Sequence, residues 1–314
     1  MNHLESSFTG KNALWRYVIM LAAVLIVANT IGSLPLIISM YSNPSAIGEL
    51  AVNPNDLSPL GLDPNIGLIY LLIPFALALV AFILLIRPLN GKKMMTVING
   101  ATSFRWNHFF ISAFIWLVVS AIYLFVNMKL DPVNFSLNNT TSTLIPLAFI
   151  SVLLIPFQAA FEEVIFRGYL MQGFAAIIRN RMFPLIMTSV LFGLMHGLNP
   201  EVKEFGFLTM MPQYIVFGLI FGIITILDDG IESAMGLHAA NNAFLCIMLT
   251  NESSALQTPA VWEQHNIHPW TEFTAMLLMG LVVILVLKKI FNWKSFSLLA
   301  ANIEAPAENT DHLA

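Results

Sequence analysis

The feature that most constrains this chain is the length of its uncharged stretches. From Thr143 to Ala160 it reads TLIPLAFISVLLIPFQAA, without one charged side chain. A helix that crosses a bilayer needs about 20 mainly apolar residues. Eight runs approach that length: residues 17–41, 66–86, 109–127, 143–161, 183–198, 211–227, 234–250 and 271–290. The fifth is short, and the fourth can continue beyond Phe161. The first run has 25 residues. That exceeds the roughly 7–15 residues of a signal-peptide core, so it is read as a retained transmembrane helix. Composition agrees, with 57% hydrophobic and 10% charged residues, where a soluble domain carries about 25% charged. Mean hydropathy is +0.77. The expectation is a polytopic protein embedded in a lipid bilayer. A formal charge of −4 gives no argument for a nucleic-acid partner. The single Cys246 excludes an intrachain disulfide.

Orientation follows from the loop cations, which favour the cytoplasmic side. With the N-terminus inside and eight alternating spans, the inside holds Lys11, Arg16, Arg87, Lys92, Lys93, Arg105, Arg167, Arg179, Arg181, Lys288, Lys289 and Lys294. The outside holds Lys129 and Lys203, so the division is 12 to 2. Both termini are expected in the cytoplasm. Arg167 is discounted, because it can lie within the membrane. The outer segment 42–65 has Glu49, Asp56 and Asp63 but no cation. The inner segment 88–108 mixes basic, aromatic and apolar residues, which suits either a headgroup-surface segment or a plain connection.

Ionisable groups inside a membrane are costly and face a bundle interior or a wet cavity. Three places require such a reason. In FEEVIFRGYL, Glu163 and Arg167 are at i,i+4 and share a helical face. Glu162 points about 100° away and is the less compensated carboxylate, suited to act as a general base or a metal ligand. In FGLMHG, Phe192 and His196 are at i,i+4. In LHAANNAF, His238 and Asn242 are at i,i+4, with Asn241 on a neighbouring face. Each has a plain structural alternative: a surface ion pair at a helix end, a satisfied bundle histidine, and an interhelical hydrogen-bond pair. A fourth pair, His265 and His268, is read as ordinary loop residues. Together the first three supply a base and oxyanion donors, the groups that hydrolysis needs. No serine or cysteine is placed beside a histidine to suggest a covalent route.

The pattern resembles the CAAX-protease and bacteriocin-processing family of intramembrane proteases, which includes lysostaphin-resistance-like proteins and prenyl-protein endopeptidases. EEVIFR fits its E-E-x-x-x-R motif, FGLMH its F-x-x-x-H motif, and HAANN its histidine followed four residues later by Asn or Asp. The motifs occur in order, over about residues 145–250. The resemblance implies an all-α bundle of about eight transmembrane helices with an intramembrane polar cavity. It assigns Glu162 and His196 to water activation, His238 and Asn242 to the oxyanion, and Glu163 and Arg167 to support. The implied partner is a membrane protein or peptide substrate. A metal-free site is favoured. A zinc site on Glu162, His196 and His238 is the alternative, although the H-E-x-x-H helix of zinc proteases is missing.

The chain divides into N-terminal helices and a cytoplasmic connection (1–140), a catalytic core (141–252), an outer loop and last helix (253–294), and an acidic tail expected to be disordered (295–314). One tension remains in this reading. Simple alternation puts Glu162 near the inner face and His196 near the outer one. A fourth helix running to about Ile178, tilted or kinked near Pro156, would bring Glu162 to mid-depth. Two non-proteolytic readings stand beside the protease: a membrane scaffold or immunity-type binding protein using the same cavity, and, more weakly, a proton-coupled transporter.

Overall fold

The computed structural model describes residues 2–52, 57–138 and 141–304, so Asp56 lies outside the described residues. The helices are α1 (Leu14–Val27), α2 (Leu34–Ser42), α3 (Ile47–Val52), α4 (Pro64–Asn90), α5 (Met94–Ile98), α6 (Trp106–Leu130) and α7 (Thr141–Glu163), then α8 (Met171–Ile177), α9 (Met182–Met195), α10 (Pro200–Phe205), α11 (Phe207–Asp228), α12 (Glu232–Met248) and α13 (Pro269–Ile290). Two π-helical segments join neighbours: Ala28–Gly32 links α1 to α2, and Val164–Leu170 links α7 to α8. The fold is the expected all-α polytopic bundle.

Local chemistry sets the helix ends. Asp63 caps α4 by accepting the Asn65 N–H at 2.9 Å, and Pro64 takes the first helical position, where no donor is needed. Gly91 ends the same helix at φ +67°, its N–H bonded to the Arg87 carbonyl. Among the described residues, six helical stretches are long and apolar enough to cross a membrane: 14–42, 64–90, 106–130, 142–177, 207–228 and 269–290. Their outward faces carry Ile26, Phe114, Phe149 and Leu278, all exposed, as lipid contact requires.

The other two expected spans are shorter. Helix α9 has 14 residues and α12 has 17. Helix α9 exposes Ile186, Leu194 and Met195 and buries Leu185, Thr188, Ser189 and Phe192, while residues 232–240 of α12 are buried throughout. With lipid as apolar as the side chains, such helices hold together by close packing and polar contacts. Small residues allow the approach. A Cβ at Gly236 would strike the Phe109 carbonyl of α6, and one at Gly218 would come within 2.9 Å of Ser189 Cα on α9.

The helix ends gather at two poles. One pole holds the N-terminal segment, the 91–105 connection, α8, the end of α11 and the end of α13. There Asp228 accepts hydrogen bonds from His108 Nδ1 at 2.8 Å, Ser233 Oγ at 2.8 Å, Trp293 Nε1 at 2.7 Å and Arg105 Nη2 at 3.2 Å. Glu232 takes Arg105 Nε at 3.0 Å and Nη2 at 2.5 Å, and also the Asn99 amide. The other pole carries a small sheet in the order β1 (Phe135–Leu137), β3 (Trp262–Gln264), β2 (Leu249–Thr250). Strand β1 is antiparallel to β3, with Phe135 opposite Gln264, and β2 is parallel to it, with Leu249 opposite Trp262.

One segment gains detail here and one expectation changes. Segment 88–108 buries Lys92, Val97, Ile98 and Asn99, because α5 packs beneath the π-helical segment, while Pro88, Lys93, Trp106 and Asn107 stay exposed. Disorder from residue 295 onward does not hold for 295–304. Phe296–Ala300 forms a 3-10 turn, Ile303 is buried, and its N–H donates to the Arg179 carbonyl at 3.1 Å. Residues 305–314 lie outside the described residues.

Candidate active site

Helix α7, the π-helical segment and α8 run on from Thr141 to Ile177, through Pro146 and Pro156. From Ile177 back to Glu162 is 15 steps, about 23 Å at 1.5 Å per residue. From Met182 up to His196 is 14 steps, about 21 Å. The two residues therefore stand at similar height, and the conflict of simple alternation is removed. A π-helical turn directly after Glu163 is a feature often found at functional sites.

Glu162, His196, His238 and Asn242 line one cavity of about 410 Å³, walled by α4, α7, α9, α11 and α12. Glu163 and Arg167 lie behind it, fully buried. Arg167 Nη1 donates to Glu163 Oε1 at 2.9 Å, the expected i,i+4 pair. The same oxygen also accepts His238 Nδ1–H at 2.8 Å. Glu163 thus holds the imidazole as well as the guanidinium, which sequence spacing did not show. Arg167 further donates to the Gly218 carbonyl at 3.2 Å and packs over the Phe192 ring at 4.3 Å. Because a carboxylate only accepts, His238 presents Nε2 to the cavity. That atom is 3.7 Å from Glu162 Oε2, within ion-pair range but beyond a hydrogen bond.

His196 is fixed by the end of its own helix. Terminal helix carbonyls lack intrahelical donors, and Nδ1 lies 2.7 Å from the Phe192 carbonyl oxygen. A carbonyl only accepts, so Nδ1 carries the proton and Nε2 is the basic atom of the neutral ring. Tyr214 stacks on this ring at 4.6 Å.

A chain of amides leads to Glu162. Trp116 Nε1 donates to Asn241 Oδ1 at 3.1 Å, and Asn241 Nδ2 to Asn242 Oδ1 at 3.0 Å. Asn242 Nδ2 donates to Gln158 Oε1 at 2.9 Å, and Gln158 Nε2 to Glu162 Oε1 at 2.5 Å. An indole N–H can only donate and an ionised carboxylate can only accept, so the ends set the direction of every bond between them. Glu162 Oε2 is left buried without a hydrogen bond.

Sequence reasoning passed over Gln158, although it stands one turn before Glu162 in an otherwise apolar run. It also missed Glu201 and Tyr214, which line the same cavity. Glu201 Oε1 accepts the Ala255 N–H at 3.0 Å, and burial pushes its carboxyl above the usual range. Nothing in its local sequence marks it, because only the fold brings α10 to the cavity. Among the described residues, no group of three His, Cys, Asp or Glu side chains is placed to hold a metal ion. His265 and His268 stay in the outer loop, apart from the cavity.

Fold and cavity define a multi-pass helical membrane protein with an intramembrane acid–histidine–amide site. Residues 141–244 match the family described as type II CAAX prenyl endopeptidase Rce1-like, and this agrees with the CAAX-protease and bacteriocin-processing family that the three motifs resemble. The chain is also similar to the uncharacterized protein YyaK of Bacillus subtilis (strain 168). The two are 28% identical over 261 residues, covering 81% of this chain and 84% of that one. No solved structure matches.

Proposed function

We propose that this protein is an intramembrane endopeptidase that hydrolyses a peptide bond of a membrane-associated protein or peptide. The observation that carries the reading is the convergence of Glu162, His196, His238 and Asn242, from three separate helices, on one cavity. Glu162 Oε2 and His196 Nε2 are the two basic atoms facing it. One of them takes a proton from water as the oxygen attacks the scissile carbonyl, and returns it to the departing amine. His238, when protonated, donates from Nε2 to the developing oxyanion, and the Asn242 amide donates beside it. Glu163 stabilises that imidazolium, and Arg167 fixes Glu163. No step requires a metal, and metal quantification on active protein tests this: one zinc per chain, with loss of activity on chelation, would replace this mechanism. The first and last described segments, residues 2–12 and 295–304, lie at the pole that holds eleven of the 14 Lys and Arg, and this supports a cytoplasmic placement for both.

Glu162→Gln keeps the hydrogen bond from Gln158 but removes the base. Cleavage of a co-expressed substrate, identified by its co-purification with this variant, is expected to fall by about 10²–10⁴-fold. Full activity would sink the role of Glu162. The hydrogen bonds that join α7 to α12 through Gln158 and Asn242 also favour a second reading, a binding scaffold in which these groups glue helices. A scaffold keeps its cellular phenotype in Glu162→Gln, and an enzyme loses it.

A further inference from the structure

The two poles of the bundle differ in charge, and the cavity lining reaches the connecting loops of only one of them. Lys11, Arg16, Arg87, Lys92, Lys93, Arg105, Arg179, Arg181, Lys288, Lys289 and Lys294 belong to one pole. Lys129 and Lys203 belong to the other, and Arg167 is buried between. A bias of 11 to 2 marks the first pole as the cytoplasmic one. Toward it the site has a floor. Arg167, Tyr169 and Gln172 are buried, His3 Nε2 lies 2.9 Å from the Arg167 carbonyl, and the His3 N–H is tied to Asp229 at 2.8 Å. Beyond the long helices, the cavity wall is made by Asn199, Glu201 and residues 254–256. All of these lie at the cation-poor pole, under the small sheet.

We infer that the site takes its substrate from the extracytoplasmic side of the membrane. This inference rests on the proteolytic reading above and gives it a substrate class. The wall contains two carboxyl groups, Glu162 and Glu201, and no Lys or Arg. An acidic side chain or a free terminal carboxylate beside the cut would meet like charge with no Lys or Arg to neutralise it, at a depth where desolvation is costly. Leu71, Phe75, Phe217 and Leu256 supply apolar walls. The substrate is therefore an exported or outer-leaflet peptide segment, apolar and neutral or basic around the scissile bond, and cut internally. The hydrolysis consumes one water and releases a new carboxylate and a new amine.

Thiol labelling in intact cells tests the access. Glu252→Cys places a thiol on the exposed loop next to the cavity roof, and Lys93→Cys places one at the basic pole; both native side chains are exposed. The wild-type chain, whose single Cys246 is buried, gives the blank. A membrane-impermeant maleimide is expected to label Glu252→Cys in whole cells and Lys93→Cys only after permeabilisation. The reverse pattern overturns the inference even if the protein proves to be a protease. The expected pattern in a chain whose Glu162→Gln variant is unimpaired leaves the access standing and removes the protease. For charge preference, cleavage of the identified substrate is compared with that of a variant carrying Asp on both sides of the cut. At least a tenfold loss is expected, and equal rates would overturn the substrate class.

Discussion

Two buried polar clusters sit within the same bundle, and they are finished differently. At the cation-rich pole every carboxylate oxygen of Asp228 and Glu232 has a partner, supplied by Arg105, His108, Ser233, Trp293 and Asn99. Around the cavity, Glu162 Oε2, Glu163 Oε2, Glu201 Oε2 and Arg167 Nε are buried without hydrogen bonds. Unsatisfied buried groups are rare, and each one calls for a reason. The closed cluster ties the 91–108 connection, α11, α12 and the chain beyond α13 into one layer. The open one keeps atoms in reserve for water and substrate. Charge burial alone therefore does not identify a site in a membrane, and a leftover valence does so only where it meets a cavity and other such groups, since Glu5 Oε2 beside Arg181 is also buried without a hydrogen bond.

The largest contrast sets Glu162→Gln against Asp228→Asn. The first removes cleavage with little change in thermal unfolding. The second gives His108 a neutral partner and leaves Arg105 only Glu232 as its carboxylate, and losing hydrogen bonds to a charged group costs about 1.5–3 kcal/mol. It should appear as a lowered unfolding midpoint in detergent, with cleavage per folded molecule preserved. Equal stability losses in the two variants would erase the distinction between the clusters.

Gln158→Leu comes next. It separates Asn242 from Glu162 and leaves a buried amide unpaired, an effect of about 1–3 kcal/mol. The expected result is a fall of about 10- to 100-fold in kcat, with a smaller midpoint shift than in Asp228→Asn. An unchanged kcat would show that the amide chain plays no part in positioning Glu162.

The smallest effect is a pair of opposite pH slopes. Burial holds the Glu201 carboxyl above its ordinary value of 4.5, against the Ala255 N–H and other bonds that work the other way. The unfolded chain then loses that proton first, so stability falls as pH rises from 4.5 through the raised value. Burial holds the His3 imidazole below its ordinary 6.5, outweighing the Arg167 carbonyl and nearby carboxylates. The unfolded chain then gains that proton first, so stability falls as pH drops below 6.5. Unfolding midpoints measured against pH should flatten on the first limb in Glu201→Gln and on the second in His3→Asn. Slopes of the same sign would contradict this assignment of the two ends.

The spans were legible in the sequence because uncharged runs of membrane length have few alternatives. The Glu163–Arg167 pair was legible for a local reason, since one helical turn is fixed by spacing. What lay hidden was tertiary. His238 reaches Glu163 only because α12 packs on α7, and Glu201 meets the cavity only because α10 folds back over it. The depth of Glu162 could not be read from alternating spans, since α7 continues through the π-helical segment into α8. Segment 88–108 showed its mix of basic, aromatic and apolar residues in the sequence, while the burial of Val97 and Ile98, which anchor it, came only with packing.

The amide chain has one more consequence, and it is optical. Trp116 stands at the far end of four hydrogen bonds from the Glu162 carboxylate. Bonds in such a series polarise one another, so charge on Glu162 is felt at the indole N–H. Trp116 is one of six tryptophans, and the difference spectrum against a Trp116→Phe chain isolates it. Glu162→Gln, which removes the charge at the other end of the chain, is then expected to shift that difference spectrum, a readout of the coupling that needs no added dye.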